Sequence, residues 1–284
     1  MTGEQTGESA GESKGGQGRL YLVATPIGNL EDITLRALRV LREADVIACE
    51  DTRQTRKLLE RHRIDQDLLS YHEHNERERA AELVERIEAG QSVALVSDAG
   101  MPLVSDPGRH LVDRCIERGI RVIPIPGPSA FLAALAASGL ETEEFLFAGF
   151  LPARAGERGR RLLALASEPR TLVFYEAPHR LAAALHDALE ILGDRRAVVA
   201  RELTKIHEEF RRGRLSELAG EYERTAPRGE ITLLIAPAEA AAPAAGVAAA
   251  SLAERVAELQ GRGLDRKAAL KQAARERGMA KREA

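Results

Sequence analysis

From Leu20 onward, short uninterrupted apolar runs alternate with longer stretches in which apolar residues recur every three or four positions. The runs predict buried strands at 20–25, 45–50, 67–71, 92–97 and 120–125, and the 3.6-residue patterns predict helices at 33–44, 53–62, 76–89, 108–118 and 129–138. Such alternation implies a mainly parallel sheet covered on both faces. Asn75 as N-cap with Glu78 three residues on, and Gly90 just past the apolar face Ala81, Leu83, Val84 and Ile87, bound the third helix.

After Phe150-Leu151-Pro152 an arginine- and glycine-rich stretch, Ala153 to Arg161, marks a junction. Beyond it a helix is predicted at 158–167, strands at 170–176, 196–202, 207–212 and 230–236, and helices at 178–192 and 215–224. The short polar segment Glu208 to Gly213 suits a hairpin arm, so this half should hold more antiparallel pairing. The expected organisation is therefore an α/β domain over 19–150 and a second over 151–236. They are preceded by a polar, glycine-rich disordered tail (1–18) and followed by an Ala/Pro linker (237–250) and a small helical appendix (251–284).

The predicted strand ends carry unusual punctuation. Ser97-Asp98-Ala99-Gly100-Met101-Pro102-Leu103-Val104-Ser105-Asp106-Pro107-Gly108 follows the run Val93 to Val96. Ala24 to Asn29, Ile125 to Ala130 and Phe174 to Arg180 are similar. Gly and Pro fix sharp turns and let backbone groups approach a ligand, and open α/β sheets bind ligands at the carboxyl ends of their strands.

Composition narrows the class. The chain has 284 residues, 44% apolar and 30% charged, which suits a globular protein, and no apolar run approaches the roughly 18–20 residues of a membrane span. Two cysteines, Cys49 and Cys115, make neither a metal cluster nor a disulfide framework. They read as small buried side chains in a reducing, cytoplasmic compartment. His72 and His74 flank Glu73 without a further ligand at a fitting spacing, so no metal is expected. The net charge is −3, but residues 251–284 carry nine basic against five acidic side chains, leaving an acidic body with a basic appendix of a kind found on nucleic-acid-binding proteins.

Taken in order, Leu22 to Leu30, Glu50-Asp51-Thr52-Arg53, Ser97 to Gly108, Pro126 to Ala130, Phe174 to Arg180 and Arg201-Glu202-Leu203-Thr204-Lys205 resemble the tetrapyrrole-methylase superfamily. The likeness is greatest to its ribosomal-RNA branch, the small-subunit (16S) rRNA cytidine 2′-O-methyltransferases, and it spans 19–236 and more weakly the C-terminal helices. Relatives continue into a further apolar turn where this chain reads Gly278 to Ala284, so a shortened last helix is expected.

The resemblance implies two α/β domains with S-adenosylmethionine in the cleft between them and, as a rule, a homodimer. Its partner would be small-subunit rRNA or the assembled subunit. Carried over by position, the cofactor should contact Pro26, Ala99, Gly100, Met101, Val104, Ser129 and Ala130, with Glu176 and Leu203 from the second domain. Methyl transfer to a ribose hydroxyl is an in-line displacement helped by a general base. Asp106, Glu176 and Lys205 lie on the cleft loops: either carboxylate is placed to accept the proton, and Lys205 to orient the hydroxyl or, if burial depresses its pKa, to deprotonate it. Salt bridges or helix caps are the structural alternatives. Asp98 reads as a loop organiser. Two other functions compete: a tetrapyrrole (precorrin-type) methyltransferase, which would want an open apolar cleft while aromatic content is only 4%, and a non-catalytic SAM-binding RNA assembly factor, which a transfer assay would separate.

Overall fold

The computed structural model describes residues 18–238 together with Val256, Ala257, Gln260, Arg266, Ala269 and Leu270. The chain divides into two compact units at Ala238/Glu239. The six described residues of the second unit are helical. The rest of the expected linker and appendix, and the tail before Gly18, lie outside the described residues. Gly18, assigned by sequence to the tail, is itself buried against the Ile87 and Gln91 carbonyls, where a Cβ would collide.

The first sheet contains β1 (Arg19–Val23), β2 (Val46–Cys49), β3 (Leu68–Ser70), β4 (Ser92–Val96) and β5 (Arg121–Ile125), all parallel in the order β3-β2-β4-β1-β5. Alternation along β4 explains why both faces are covered. Ala94 and Val96 join the core under α1 (Leu35–Glu43) and α2 (Thr52–Arg61). Val93 and Leu95 join the core under α3 (Glu76–Glu88) and α4 (Arg109–Glu117). Cys49 and Cys115 are free thiols inside these two cores.

Asn75 does occupy the N-cap of α3, but its side chain makes no capping bond. Its Oδ1 accepts from the His72 N–H at 2.8 Å and its Nδ2 donates to the Ser70 carbonyl at 3.1 Å. The preceding turn, and not the helix, claims its hydrogen-bonding capacity, so the capping box expected with Glu78 is absent.

The second sheet is mixed: β6 (Phe145–Phe150), β7 (Thr171–Glu176), β8 (Arg196–Arg201), β9 (Glu209–Arg214) and β10 (Ile231–Ile235), ordered β6-β7-β10-β8-β9. β6 and β7 are parallel and the other pairs antiparallel. One face packs on α6 (Ala155–Ala164), α7 (Leu181–Leu192) and α8 (Leu215–Arg224). The other packs on α5 (Ala130–Ser138), whose Ala134 and Leu135 meet Val173, Val198 and Leu234.

Two segments assigned by sequence to the first half therefore belong with the second sheet. Phe145–Phe150 was not predicted as a strand and pairs with β7, and α5 follows a strand of the first sheet but covers the second. The crossing occurs through residues 126–129, where Pro126-Gly127-Pro128 fixes the path. Gly127 is required there, because a Cβ would lie 2.9 Å from the Ala24 side chain.

Candidate functional site

A cavity of about 320 Å³ opens where the carboxyl ends of β4, β1 and β5 face one edge of the second sheet. The loop after β4 forms one wall, contributing Asp98 to Met101 and Val104 to Asp106. Ile27 follows β1, and Ser129 and Ala130 follow β5. The second sheet adds Phe150, Tyr175, Glu176, Ala200, Leu203 and the segment Gly229 to Thr232.

Loop 97–108 is held by hydrogen bonds at its base. Thr25 and Gly100 exchange backbone bonds of 2.9 and 3.0 Å, and the buried hydroxyls of Thr25 and Ser97 donate to the Ser97 and Gly100 carbonyls at 3.0 and 3.1 Å. Asp98 Oδ1 accepts the Asp51 N–H at 3.1 Å, as its organising role requires. Leu103 and Ser105 hold φ angles of 71° and 68°. For residues bearing a Cβ that conformation is costly, and it persists only where the surroundings over-determine it.

Of the sequence-predicted cofactor residues, Ala99, Gly100, Met101, Val104, Ser129, Ala130, Glu176 and Leu203 line this cavity. Pro26 does not. It is buried one residue back, and Ile27 takes the place expected for it. Ser129 sits at the N-cap of α5 without bonding back to the helix, so its hydroxyl remains for a ligand.

The three proposed catalytic groups separate clearly. Asp106 is on the wall, and burial, with the nearby Glu50 charge, raises its pKa to about 6 against the pull of the Ser97 hydroxyl. Glu176 also lines the cavity, but its side chain is 1% exposed. One oxygen accepts both the Arg180 guanidinium at 2.7 Å and the Ala177 N–H at 2.8 Å. Lys205 is not in the lining. Its Nζ bridges Glu202 at 2.8 Å and Glu230 at 3.1 Å, and its stem packs on Gly28 so closely that a Cβ there would meet Lys205 Cγ at 2.5 Å. Burial alone would lower the Lys205 pKa, but the two carboxylates outweigh it and raise the value. The Lys205 ammonium group is thus held within the second half, between Glu202 and Glu230, and its stem meets the first half at Gly28.

Sequence reasoning missed Ile27, Phe150, Tyr175, Ala200 and the Gly229 to Thr232 segment. Gly229 has φ +88°, and a Cβ would collide with the Glu202 carboxyl group, which itself accepts from the Glu230 N–H and Lys205. Gly229→Ala is therefore expected to lower unfolding stability by about 2–4 kcal/mol, measured by chemical denaturation. A loss below about 0.5 kcal/mol would show that this junction yields freely.

The lining includes four carboxylates, Asp98, Asp106, Glu176 and Glu230, and among the described residues no lysine, arginine or histidine stands in it. Apolar walls come from Ile27, Met101, Val104, Phe150, Leu203 and Ile231. The cavity therefore suits a ligand with cationic centres and a flat apolar part. Arg53, an exposed basic residue of the α2 start, is engaged by Asp51 at 2.8 Å. No group of three or more potential metal ligands occurs among the described residues.

Comparisons with known proteins agree with this architecture. Residues 19–219 match the family model for tetrapyrrole (corrin/porphyrin) methylases. The chain is 57% identical to "ribosomal RNA small subunit methyltransferase I" of Mesorhizobium japonicum over 225 residues, covering 78% of this chain and 76% of that one. It is 50% identical to the protein of that name from Thermotoga maritima, covering 78% and 100%, and 47% identical to the one from Synechocystis, covering 94% and 95%. Among solved structures, diphthine synthase superposes with a TM-score of 0.61 at 18% identity, covering 76% of this chain and 89% of that one. A uroporphyrin-III C-methyltransferase of Thermus thermophilus, complexed with S-adenosyl homocysteine, superposes with a TM-score of 0.54 at 24% identity, covering 76% and 97%. At these identities the likeness is one of fold.

Proposed function

The chain belongs to the tetrapyrrole (corrin/porphyrin) methylase family, and from that premise we propose that it methylates the ribose 2′-oxygen of a cytidine in small-subunit ribosomal RNA. It is an S-adenosylmethionine-dependent methyltransferase. The acceptor reading rests on relatives named for the small-subunit rRNA at 47–57% identity. The observation that carries the donor site is the carboxylate-lined, cation-free cavity at the strand ends. A homodimeric, cytoplasmic enzyme acting on rRNA or the assembled subunit completes the proposal.

The residues present fit the donor. Asp98 and Glu230 offer negative charge to its sulfonium and ammonium groups. Ile27, Met101, Leu203 and Ile231 offer an apolar slot to its adenine, and Ser129 with the N–H groups opening α5 suits its carboxylate. When bound, the donor supplies an electrophilic methyl group.

The chain's own task is to hold the acceptor oxygen in line, roughly 3–3.5 Å from that carbon, and to take its proton. As the new O–C bond forms and the C–S bond breaks, the hydroxyl proton passes to the Asp106 carboxylate. With its pKa near 6, Asp106 is ionised at neutral pH yet basic enough to receive a proton. Glu176 keeps the end of β7 in place, and Lys205 holds loop 202–205 against loop 28–29.

The deciding experiment offers labelled S-adenosylmethionine with purified small subunits, naked rRNA and a tetrapyrrole, then maps the label. Label at one cytidine 2′-oxygen is expected. Label in the tetrapyrrole alone, or none in any RNA, would overturn the proposal and return the case to the tetrapyrrole or non-catalytic readings.

A further inference from the structure

The chain has only ten aromatic side chains and no tryptophan, yet five of them form one row. Phe131 lies 6.2 Å from Phe145 and stacks on Phe147 at 4.4 Å. Phe147 meets Tyr175 edge-on at 5.0 Å, and Tyr175 meets Phe150 at 5.6 Å. The first four are partly buried. Phe150 is 54% exposed and stands on the cavity lining.

A local distortion places it there. β6 and β7 run in register from Phe145↔Thr171 to Phe147↔Val173, and then Phe150, not Gly149, stands opposite Tyr175. One extra residue has been inserted, and Gly149 absorbs it with φ +65°. Because side chains alternate along a strand, this bulge returns Phe150 to the face occupied by Phe147. Without it, residue 149 would hold that position and the ring of residue 150 would point to the opposite face. Gly149 also lies beside Ser105, where a Cβ would be 3.5 Å from the hydroxyl, so the bulge abuts the loop that carries Asp106.

An exposed ring supported from behind by a row of rings is a poor hydrophobic contact but a good flat platform. We infer that Phe150 is the stacking platform for a nucleobase of the RNA acceptor, which sets the attached ribose over the cavity beside Asp106. This rests on the rRNA acceptor proposed above. Base stacking on an aromatic is sequence-tolerant, and its loss costs about 5- to 150-fold in affinity. Phe150 therefore sets how firmly the acceptor is held, while the identity of the base is read elsewhere.

The test uses the full chain with small ribosomal subunits as acceptor. Phe150→Leu is expected to raise the acceptor KM about tenfold, with kcat, thermal melting and S-adenosylmethionine affinity by calorimetry little changed, and Phe150→Tyr to remain near the native values. Phe150→Trp places the only tryptophan of the chain at the platform. Its fluorescence should be quenched by the subunit and not by S-adenosylmethionine alone.

An unchanged KM in Phe150→Leu, or quenching and weakened affinity with S-adenosylmethionine alone, would assign the ring to the donor and overturn the inference while leaving the acceptor reading intact. Absence of methyl transfer by the native protein to any RNA would overturn both.

Discussion

Asp106→Asn is expected to lower kcat by about 10²- to 10⁴-fold with little change in S-adenosylmethionine affinity, since asparagine keeps the shape of the side chain and loses its basicity. In the native enzyme the rate should rise with pH through a limb near 6, where Asp106 ionises, and the residual rate of the variant should lack that limb. The same substitution should stabilise the fold at neutral pH. The folded pKa, about 6, lies above the ordinary value of 3.8, so the native state holds its proton more tightly than the unfolded chain.

Stability therefore falls as pH rises from about 4 to about 6, and the full penalty is present above that window. The difference corresponds to about 3 kcal/mol if unscreened, and partial exposure reduces the expected gain in Asp106→Asn to the order of 1 kcal/mol. Denaturation at pH 7.5 should show that gain, and at pH 3.5 it should vanish. A variant with native kcat would remove Asp106 from proton transfer altogether.

Arg180→Leu should produce the largest loss of stability. Glu176 is 1% exposed and its partner 21%, so removing the guanidinium strands a carboxylate inside the protein at a cost of about 3–5 kcal/mol. Glu176→Gln should cost far less alone, because an amide oxygen still accepts from Ala177 and Arg180. In the Arg180→Leu background it should recover much of the loss, since it removes the stranded charge. A double-mutant cycle by chemical denaturation measures this coupling. Catalysis provides the contrast: Glu176→Gln should retain kcat within about tenfold. If it instead loses as much as Asp106→Asn, the proton acceptor is Glu176 and the ion pair with Arg180 is part of the machinery.

The contrast between these carboxylates shows where sequence reading reached its limit. Both follow apolar strands and both were legible as cleft residues. Their roles differ because Arg180, four residues beyond Glu176, folds back onto it through the Pro178–Arg180 turn. Among the described residues, no cation stands with Asp106 in the cavity lining. The ion pairs of Lys205 were out of reach for a related reason. Its two carboxylate partners, Glu202 and Glu230, are separated by strand β9 and helix α8, and only the pairing of β8 with β10 brings them to one ammonium group.

The segment Gly229 to Thr232 escaped notice because it opens a strand instead of closing one. β10 runs antiparallel to β7 and β8, so its beginning lies at the edge where they end. A search confined to carboxyl ends, which serves a parallel sheet, passes over it. Phe145–Phe150 escaped for want of a bounding signal. It lies unassigned between the predicted helix at 129–138 and the junction at Ala153, and its pairing with β7 makes it a strand.

By itself, the sequence determined the β/α alternation of the first sheet, the mixed character of the second, and the strand-end loops that line the cavity. Each of these follows from local periodicity and turn chemistry, which act over a few residues. Only the tertiary structure decided that α5 covers the second sheet, that a bulge aims Phe150 at the cavity, and which of the acidic and basic groups there are paired. Burial and charge neutralisation depend on residues distant in the chain, and proximity between them exists only once both sheets have formed.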